Sequence, residues 1–280
     1  MPELIINRER LQRTFIDLAS ISSPSFAEDA VFTYIAENLH ALGLACHFQE
    51  YDRGRNLVAV LEASDAALPA IALVAHADTV GPCGEITVHC DGITVKSDGT
   101  TVLGGDDKTA IAEIIETICV ITEQDLPHGR IEIIVTSAEE VGLVGAKHLD
   151  IAGLHAKHCL VLDASGEIGT AVIGAPHQVS FTITCGGRKA HAGIEPEKGV
   201  NAIVVAAAIV QGFPVGRLDE HSVANYGSIA GGGASNIVPD RISLHGELRS
   251  HDKALLASHL DRLKRTIDAV SASFGIVSTL

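Results

Sequence analysis

The stretch AIALVAHAD, residues 70–78, decides the fold. Its first six residues are all apolar, which is typical of a β-strand covered on both faces. The stretch ends in His76 and Asp78, and side chains two positions apart on a strand point the same way. In parallel sheets, ligands bind beyond the carboxyl ends of the strands. The stretch therefore predicts a core strand with a polar site at its end.

Three further polar clusters adjoin apolar elements in the same manner. They are GGDDK at 104–108, which opens a predicted helix, SAEE at 137–140 after a strand at 131–135, and LDASGE at 162–167 after a strand at 159–162. Burying carboxylates at strand ends is costly unless something cationic lies between them. We therefore expect these ends to converge on metal ions.

The order of the predicted elements indicates two domains. Strands alternate with helices over residues 1–175, which predicts an α/β domain with a mostly parallel sheet and helices on both faces. The pattern changes near Pro176. Residues 176–280 follow the order strand, helix, strand, strand, helix, strand, which is the ferredoxin-like split motif of an α+β domain.

The composition excludes several classes of partner. The chain has 20 Lys and Arg against 35 Asp and Glu, a formal net charge of −15. Nucleic-acid footprints and segments bound to anionic membranes are basic, so we expect neither partner. The six cysteines form no CxxC pair, and there is neither a signal core nor a run of ~18 apolar residues. These features favour a cytoplasmic protein.

Each polar cluster has a metal-binding interpretation and a simpler alternative. His76 as a ligand, with Asp78 accepting from its other ring nitrogen, follows the usual arrangement of metal-bound histidines; the alternative is a plain His–Asp hydrogen bond. Asp106 has the alternative of a helix N-cap, with Lys108 as a surface charge. Glu139 and Glu140 cannot both face one way in an extended segment. This suits one metal ligand and one general base, or else a solvated acidic loop.

Taken together, HAD, GGDDK, SAEE and LDASGE, in this order, resemble one family. It comprises the co-catalytic zinc metallopeptidases that include tripeptidase T, carboxypeptidase G and the aminoacylases. Aspartate in the DDK segment, where many deacylases have methionine, resembles the tripeptidase-T-like members. The resemblance implies a zinc-exopeptidase-like α/β domain followed by a ferredoxin-like lid and dimerisation domain.

The resemblance also implies a role for each residue of the clusters. Asp106 is expected to bridge two divalent cations, which we expect to be zinc, with cobalt or manganese as alternatives. The resemblance implies that His76 and Asp163 bind the first ion and that Glu140 binds the second. It also implies that Glu139 is the general base and that Asp78 is the hydrogen-bond partner of His76.

The second domain carries the family's other signature segments, AHAG at 190–193 and GVNA at 199–202. The resemblance implies a homodimer in which His191 reaches the partner subunit's site and stabilises the oxyanion. Asn236 and Arg249 match positions that contact substrate in relatives. The alternatives are that His191 is a surface-loop histidine, that Asn236 is a turn residue and that Arg249 is a surface charge.

One feature departs from the family. Relatives continue past the last strand of the lid into a segment that supplies a histidine to the second metal, whereas this sequence stops at Leu280. On this basis we expect an incomplete second metal site, retaining Asp106 and Glu140, and a chain that lacks the C-terminal part of its catalytic domain.

Three functions are therefore in competition. The leading one is hydrolysis of the peptide bond of short peptides by metal-bound hydroxide with a glutamate general base. The second is removal of an acyl group from an N-acyl amino acid. The third is metal binding or dimerisation without effective catalysis.

Overall fold

The computed structural model describes residues 4–280, which form two compact units that divide between Ile168 and Gly169. The sequence predicted a boundary between residues 175 and 176. Each unit is built around its own cluster of buried apolar side chains.

The first unit alternates helices and strands as predicted, with one additional strand at Ala45–Tyr51. In chain order its described elements are α1 (Arg8–Ala19), α2 (Asp29–Ala41), β1 (Ala45–Tyr51), β2 (Gly54–Leu61), β3 (Ile71–His76), β4 (Val88–Cys90), β5 (Val95–Ser97), α3 (Gly105–Glu123), β6 (Ile131–Thr136), α4 (Val144–Lys147) and β7 (His158–Val161). Strands β4 and β5 form a small antiparallel hairpin.

The main sheet has the strand order β1-β2-β6-β3-β7. Strand β3 pairs in parallel with β6 and β7, whereas β1 and β2 are antiparallel to their neighbours. The sheet is therefore mixed, and the parallel arrangement holds in the half that carries the polar clusters. Because β3, β6 and β7 run the same way, their carboxyl ends lie at one edge of the sheet.

Helix α3 is held firmly against this sheet. Its apolar stripe is buried: Ile111, Ile114, Ile115 and Ile118 are each at most 4% exposed. They pack in one cluster with side chains of α1, α2 and one face of the strands. Truncating a buried isoleucine to alanine costs about 2–5 kcal/mol, so this packing fixes the position of the first turn of α3.

The second unit follows the predicted split motif. Its described elements are β8 (His177–Gly186), a 3₁₀ turn (Pro196–Lys198), α5 (Ala202–Gly212), β9 (Gly216–Arg217), β10 (Ser222–Gly231), β11 (Arg241–Ser250) and α6 (Lys253–Phe274). The antiparallel sheet has the order β8-β11-β10-β9. The final strand predicted at 276–280 is reduced to a single bridge between Thr184 and Thr279.

All six cysteines are free. Within residues 4–280, no helix combines the length and the apolar character needed to cross a bilayer.

A charged contact ties α6 to the turn before β10. His259 Nε2 lies 2.6 Å from Asp219 Oδ2, and the backbone N–H of His221 donates to Asp219 Oδ1 at 2.8 Å. The hydrogen bond from His259 is the main cause that lowers the pKa of Asp219 to about 2. Because this pKa lies below the unfolded value of ~3.9, the contact stabilises the fold above about pH 4 and is lost as the pH falls towards 2.

We therefore expect Asp219→Asn to lower the urea midpoint of unfolding above pH 4, with a difference from the parent that shrinks between about pH 4 and pH 2. Urea titrations at several pH values measure this. Asp261→Asn, at an exposed position of α6, is the control and should change the urea midpoint little. A difference for Asp219→Asn that is constant with pH would contradict the assignment.

Candidate metal centre

Two overlapping groups of potential metal ligands lie at the carboxyl edge of the parallel strands. One ligand atom from each of His76, Asp106 and Asp163 lies within 4.8 Å of the others, and the same holds for His76, Glu139 and Glu140. The structure thus brings together residues from all four polar clusters. Among the described residues, no other histidine belongs to either group.

His76 is common to both groups. It ends β3 and is only 2% exposed. Its Nε2 lies 3.1 Å from Asp106 Oδ1, and its Nδ1 lies 3.4 Å from Asp78 Oδ1. The second contact is longer than a typical hydrogen bond, so among the described residues Nδ1 faces Asp78 without making a full hydrogen bond. One ring nitrogen towards the ligand cluster and the other towards a buried carboxylate is the arrangement of a metal-bound histidine.

Asp78 joins this histidine to the SAEE segment. Its Oδ1 accepts from the backbone N–H of Glu139 at 2.8 Å, and its Oδ2 accepts from that of Glu140 at 3.2 Å and from Ser25 Oγ at 2.7 Å. Burial acts to raise the pKa of Asp78, but these donors and His76 lower it below its ordinary value. The carboxylate is therefore held ionised, and it fixes the loop relative to the ligand.

The SAEE segment is a turn and not the extended segment that the sequence suggested. Ala138 has a φ of +49° and is fully buried. The turn closes with hydrogen bonds from the N–H groups of Gly142 and Leu143 to the carbonyl of Glu139. As a result, the neighbouring carboxylates of Glu139 and Glu140 both reach His76.

Asp106 stands near the start of α3, but it is not the capping residue. Gly104 is the N-cap, with a φ of +75°, and no side chain caps the helix. Asp106 itself has a non-helical backbone, with ψ of 107°, and its side chain is 71% exposed. The N-cap interpretation is therefore wrong, because the Asp106 carboxylate is directed to His76 instead.

Asp107 and Lys108, which follow Asp106, are both buried, and no pattern in the sequence predicts this burial. Asp107 is 4% exposed, and its Oδ2 accepts from the backbone N–H of His76 at 3.2 Å. Lys108 is fully buried, and its Nζ donates to the carbonyl of Ile21 at 2.5 Å. The alternative of Lys108 as a surface charge is therefore wrong. A run of three charged residues at a helix start ordinarily indicates exposure.

The site carries an excess of negative charge. Burial and the neighbouring carboxylates raise the pKa of Glu139 and Glu140, and burial raises that of Asp107 to about 7. Although burial favours a neutral imidazole, the nearby aspartates raise the pKa of His76 to about 10. Imidazole nitrogen together with carboxylate oxygen is a donor set that suits zinc and related divalent ions. The residues present therefore fit such ions.

The other predicted site residues lie in the second unit. The backbone N–H of Ala192, next to His191, donates to the carbonyl of Asn236 at 2.9 Å, so these two segments adjoin. Arg249 lies on β11, where its Nε and Nη2 each donate to Glu247 at 3.0 Å. The roles of His191, Asn236 and Arg249 stay predictions.

Comparisons with known proteins agree with this architecture. Residues 56–173 match the family model of Peptidase family M28, and residues 173–274 match that of a Peptidase dimerisation domain. Protein YqjE of Bacillus subtilis (strain 168) is 34% identical over 278 residues, which are 97% of this chain and 74% of YqjE.

Two crystal structures are similar throughout. Aminopeptidase PepT from Bacillus cereus ATCC 10987 has a TM-score of 0.89 at 35% identity, over 98% of this chain and 75% of that one. A tripeptidase from Staphylococcus aureus subsp. aureus Mu50 has a TM-score of 0.93 at 35% identity, over 98% of this chain and 74% of that one. This chain thus spans about three quarters of the length of these relatives.

The fold and the ligand cluster together define a metallopeptidase with an appended dimerisation domain. More narrowly, the chain belongs to the family of PepT-like metallopeptidases, so the resemblance drawn from its four motifs is confirmed. The predicted fold class is confirmed as well. Peptidases of this family hydrolyse peptides and carry two metal ions.

The left-handed turn at Ala138 yields a stability prediction. A left-handed non-glycine residue costs about 1–2 kcal/mol, and glycine loses that strain but costs about 0.4–1 kcal/mol in chain entropy. We expect Ala138→Gly to leave the free energy of unfolding nearly unchanged, whereas β-branched Ala138→Val should lower it by about 2 kcal/mol. Urea denaturation measures both. Ala36→Gly within α2, which should cost about 1 kcal/mol, is the matched control. If Ala138→Gly lowered the free energy of unfolding as much as Ala36→Gly does, the assignment of strain to Ala138 would be wrong.

Proposed function

We propose that this protein hydrolyses the peptide bond of short peptides, as a tripeptidase or aminopeptidase, using two divalent cations. The observation that carries the proposal is the convergence of His76 with four carboxylates at the carboxyl edge of the parallel strands. Membership of the PepT-like family supports the same activity. Bound divalent cations supply the polarisation of the scissile carbonyl and lower the pKa of water towards ~7.

In this proposal the residues of the chain divide the work of holding the ions. Asp106, His76 and Asp163 would hold the first ion, and Asp106 and Glu140 would hold the second. Asp78 orients His76 through Nδ1, since it is buried and held by donors from the SAEE turn. Zinc is the expected metal, with cobalt and manganese as alternatives, because the donor set mixes nitrogen with carboxylate oxygen.

Glu139 is the proposed general base. Its carboxylate is half-buried, and burial and the neighbouring Asp163, Glu140 and Asp78 raise its pKa above the ordinary value. A carboxylate with a raised pKa is better matched to taking a proton from water and passing it to the leaving amine. We extend the proposal to substrate contacts by Asn236 and Arg249 and to oxyanion stabilisation by His191.

The first test is peptide release by the metal-loaded protein with Glu139→Gln. Loss of a general base costs typically 10²–10⁴-fold, so we expect kcat to fall at least 100-fold while metal content, measured by mass spectrometry of the elements, stays equal to that of the parent. Glu37→Gln, at an exposed position of α2, is the control. Full activity in Glu139→Gln would refute the base, and faster cleavage of N-acyl amino acids than of tripeptides by the parent would refute the substrate class.

We also propose that the second unit mediates a homodimer. Strand β10 pairs with β9 only at Val223 and Ala224, so from Asn225 to Gly231 one edge of it has no strand partner among the described residues. The unit also exposes apolar side chains: Ile229 is 59% exposed, Ile203 48% and Val204 50%. An open edge and apolar surface are both features of association sites, and the unit matches a dimerisation-domain model.

Light scattering on the purified protein tests the dimer. We expect the parent to have the mass of two chains and Ile229→Lys to shift it towards one chain, because a charge on an edge strand opposes edge-to-edge pairing. Val277→Lys replaces a similarly exposed apolar residue of the same unit and should leave the mass unchanged. A parent of single-chain mass would rule out this assembly.

We further propose that the protein works in the cytoplasm. Its six free cysteines support a reducing compartment.

A further inference from the structure

A loop outside the ligand set contacts every ligand-bearing segment before β7. This loop, residues 21–28, is called the brace loop below. The carbonyl of Ile21 accepts from Lys108 at the start of α3, and the carbonyl of Ser23 accepts from the N–H of Thr79 after β3 at 2.9 Å. Ser25 Oγ donates to Asp78 at 2.7 Å. The third segment, the SAEE turn, is reached by Glu28.

Glu28 is a buried carboxylate with a defined task in this loop. Its residue is 4% exposed, and its Oε1 accepts from the backbone N–H of Ala138 at 2.9 Å and from that of Phe26 at 3.0 Å. Ala138 is fully buried, so water cannot replace this acceptor, and a buried N–H without one carries a full desolvation cost.

The contact completes a chain of backbone anchors. The consecutive N–H groups of Ala138, Glu139 and Glu140 all end on buried carboxylates, the first on Glu28 and the other two on Asp78. Ala138 is also the left-handed residue that sets the direction of the turn. Without the hydrogen bond to Glu28, the backbone dihedrals of Ala138 are less restrained. Because Glu139 is the next residue, the direction of its carboxylate depends on those dihedrals.

We propose that Glu28 is a positioning residue for the general base: through the N–H of Ala138 it fixes the SAEE turn in the orientation that aims Glu139. This rests on the proposed function, in which Glu139 is the base. A displacement of about 1 Å in a reacting group can cost 10²-fold in rate, so the effect falls on kcat and not on substrate binding.

Three substitutions of Glu28 distinguish the effect of losing its hydrogen-bond acceptor from the effects of losing its volume and its charge. Glu28→Met keeps the volume but removes the acceptor, and we expect kcat to fall 10- to 100-fold with KM changed less than threefold. Glu28→Ala should do the same with a lower melting temperature. Glu28→Gln keeps a carbonyl oxygen for both N–H groups, so its kcat should stay within about threefold of the parent. If Glu28→Ala does not fold, the kcat of Glu28→Met alone tests whether the acceptor is needed.

The matched control is Glu132, a fully buried carboxylate of β6. It accepts from the backbone N–H groups of His155 and Ala156 and pairs with Arg130, so it has the same chemistry as Glu28 but lies at the start of the strand, away from the SAEE turn. Glu132→Ala should lower the melting temperature and leave kcat of the folded protein unchanged.

A second readout does not depend on activity. Amide hydrogen exchange of the metal-free protein should show Ala138, Glu139 and Glu140 exchanging at least tenfold faster in Glu28→Met than in the parent, with β6 unchanged. Parent-like exchange and kcat in Glu28→Met, or a Glu28→Gln as impaired as Glu28→Met, would overturn the inference. A parent that cleaves no peptide would instead overturn the proposed function, and the exchange experiment would still decide whether Glu28 fixes the turn.

Discussion

Crowding of negative charge at one edge of a parallel sheet is the constraint on which the rest of the first unit depends. Strands β3, β6 and β7 deliver His76, Glu139, Glu140 and Asp163 to the same edge, and α3 adds Asp106. Carboxylates held this close repel one another, and burial together with this repulsion raises the pKa of Glu139 and Glu140 above the ordinary value. Divalent cations turn the repulsion into attraction, which is why the fold and the metal-dependent chemistry of the family belong together.

Rigidity around the cluster comes from hydrogen bonds to backbone N–H groups more than from side-chain pairs. Asp78 is fully buried, and its carboxylate accepts hydrogen bonds from two consecutive backbone N–H groups of the SAEE turn. Asp107 holds the N–H of His76 in the same way. These carboxylates hold the backbones of His76, Glu139 and Glu140, which cannot shift without breaking a hydrogen bond to a buried carboxyl group.

The sequence predicts periodic elements well and special backbone conformations poorly. The apolar stripe of α3 and the run at Ile71–Ala75 have strong periodicity or length, because burial selects the side chains directly. Strand β1 was missed because its residues ACHFQEY mix polar and apolar types at an edge of the sheet. The left-handed Ala138 and the burial of Lys108 were missed because both are imposed by contacts with distant segments. For the site, motif order predicted the candidate residues, whereas the distances between them required the tertiary structure.

The anchoring of the SAEE turn has a consequence for protein engineering. Its four backbone amides are satisfied by acceptors from three other parts of the chain, Glu28, Asn56 and Asp78, so the four-residue segment does not encode its own shape. Grafting residues 137–140 onto another scaffold would transfer the two glutamates without the geometry that makes them useful. A minimal transplant must therefore also carry the segment around Glu28, Asn56 of β2 and the end of β3. Homologous recombination between relatives should cross over outside all of these segments.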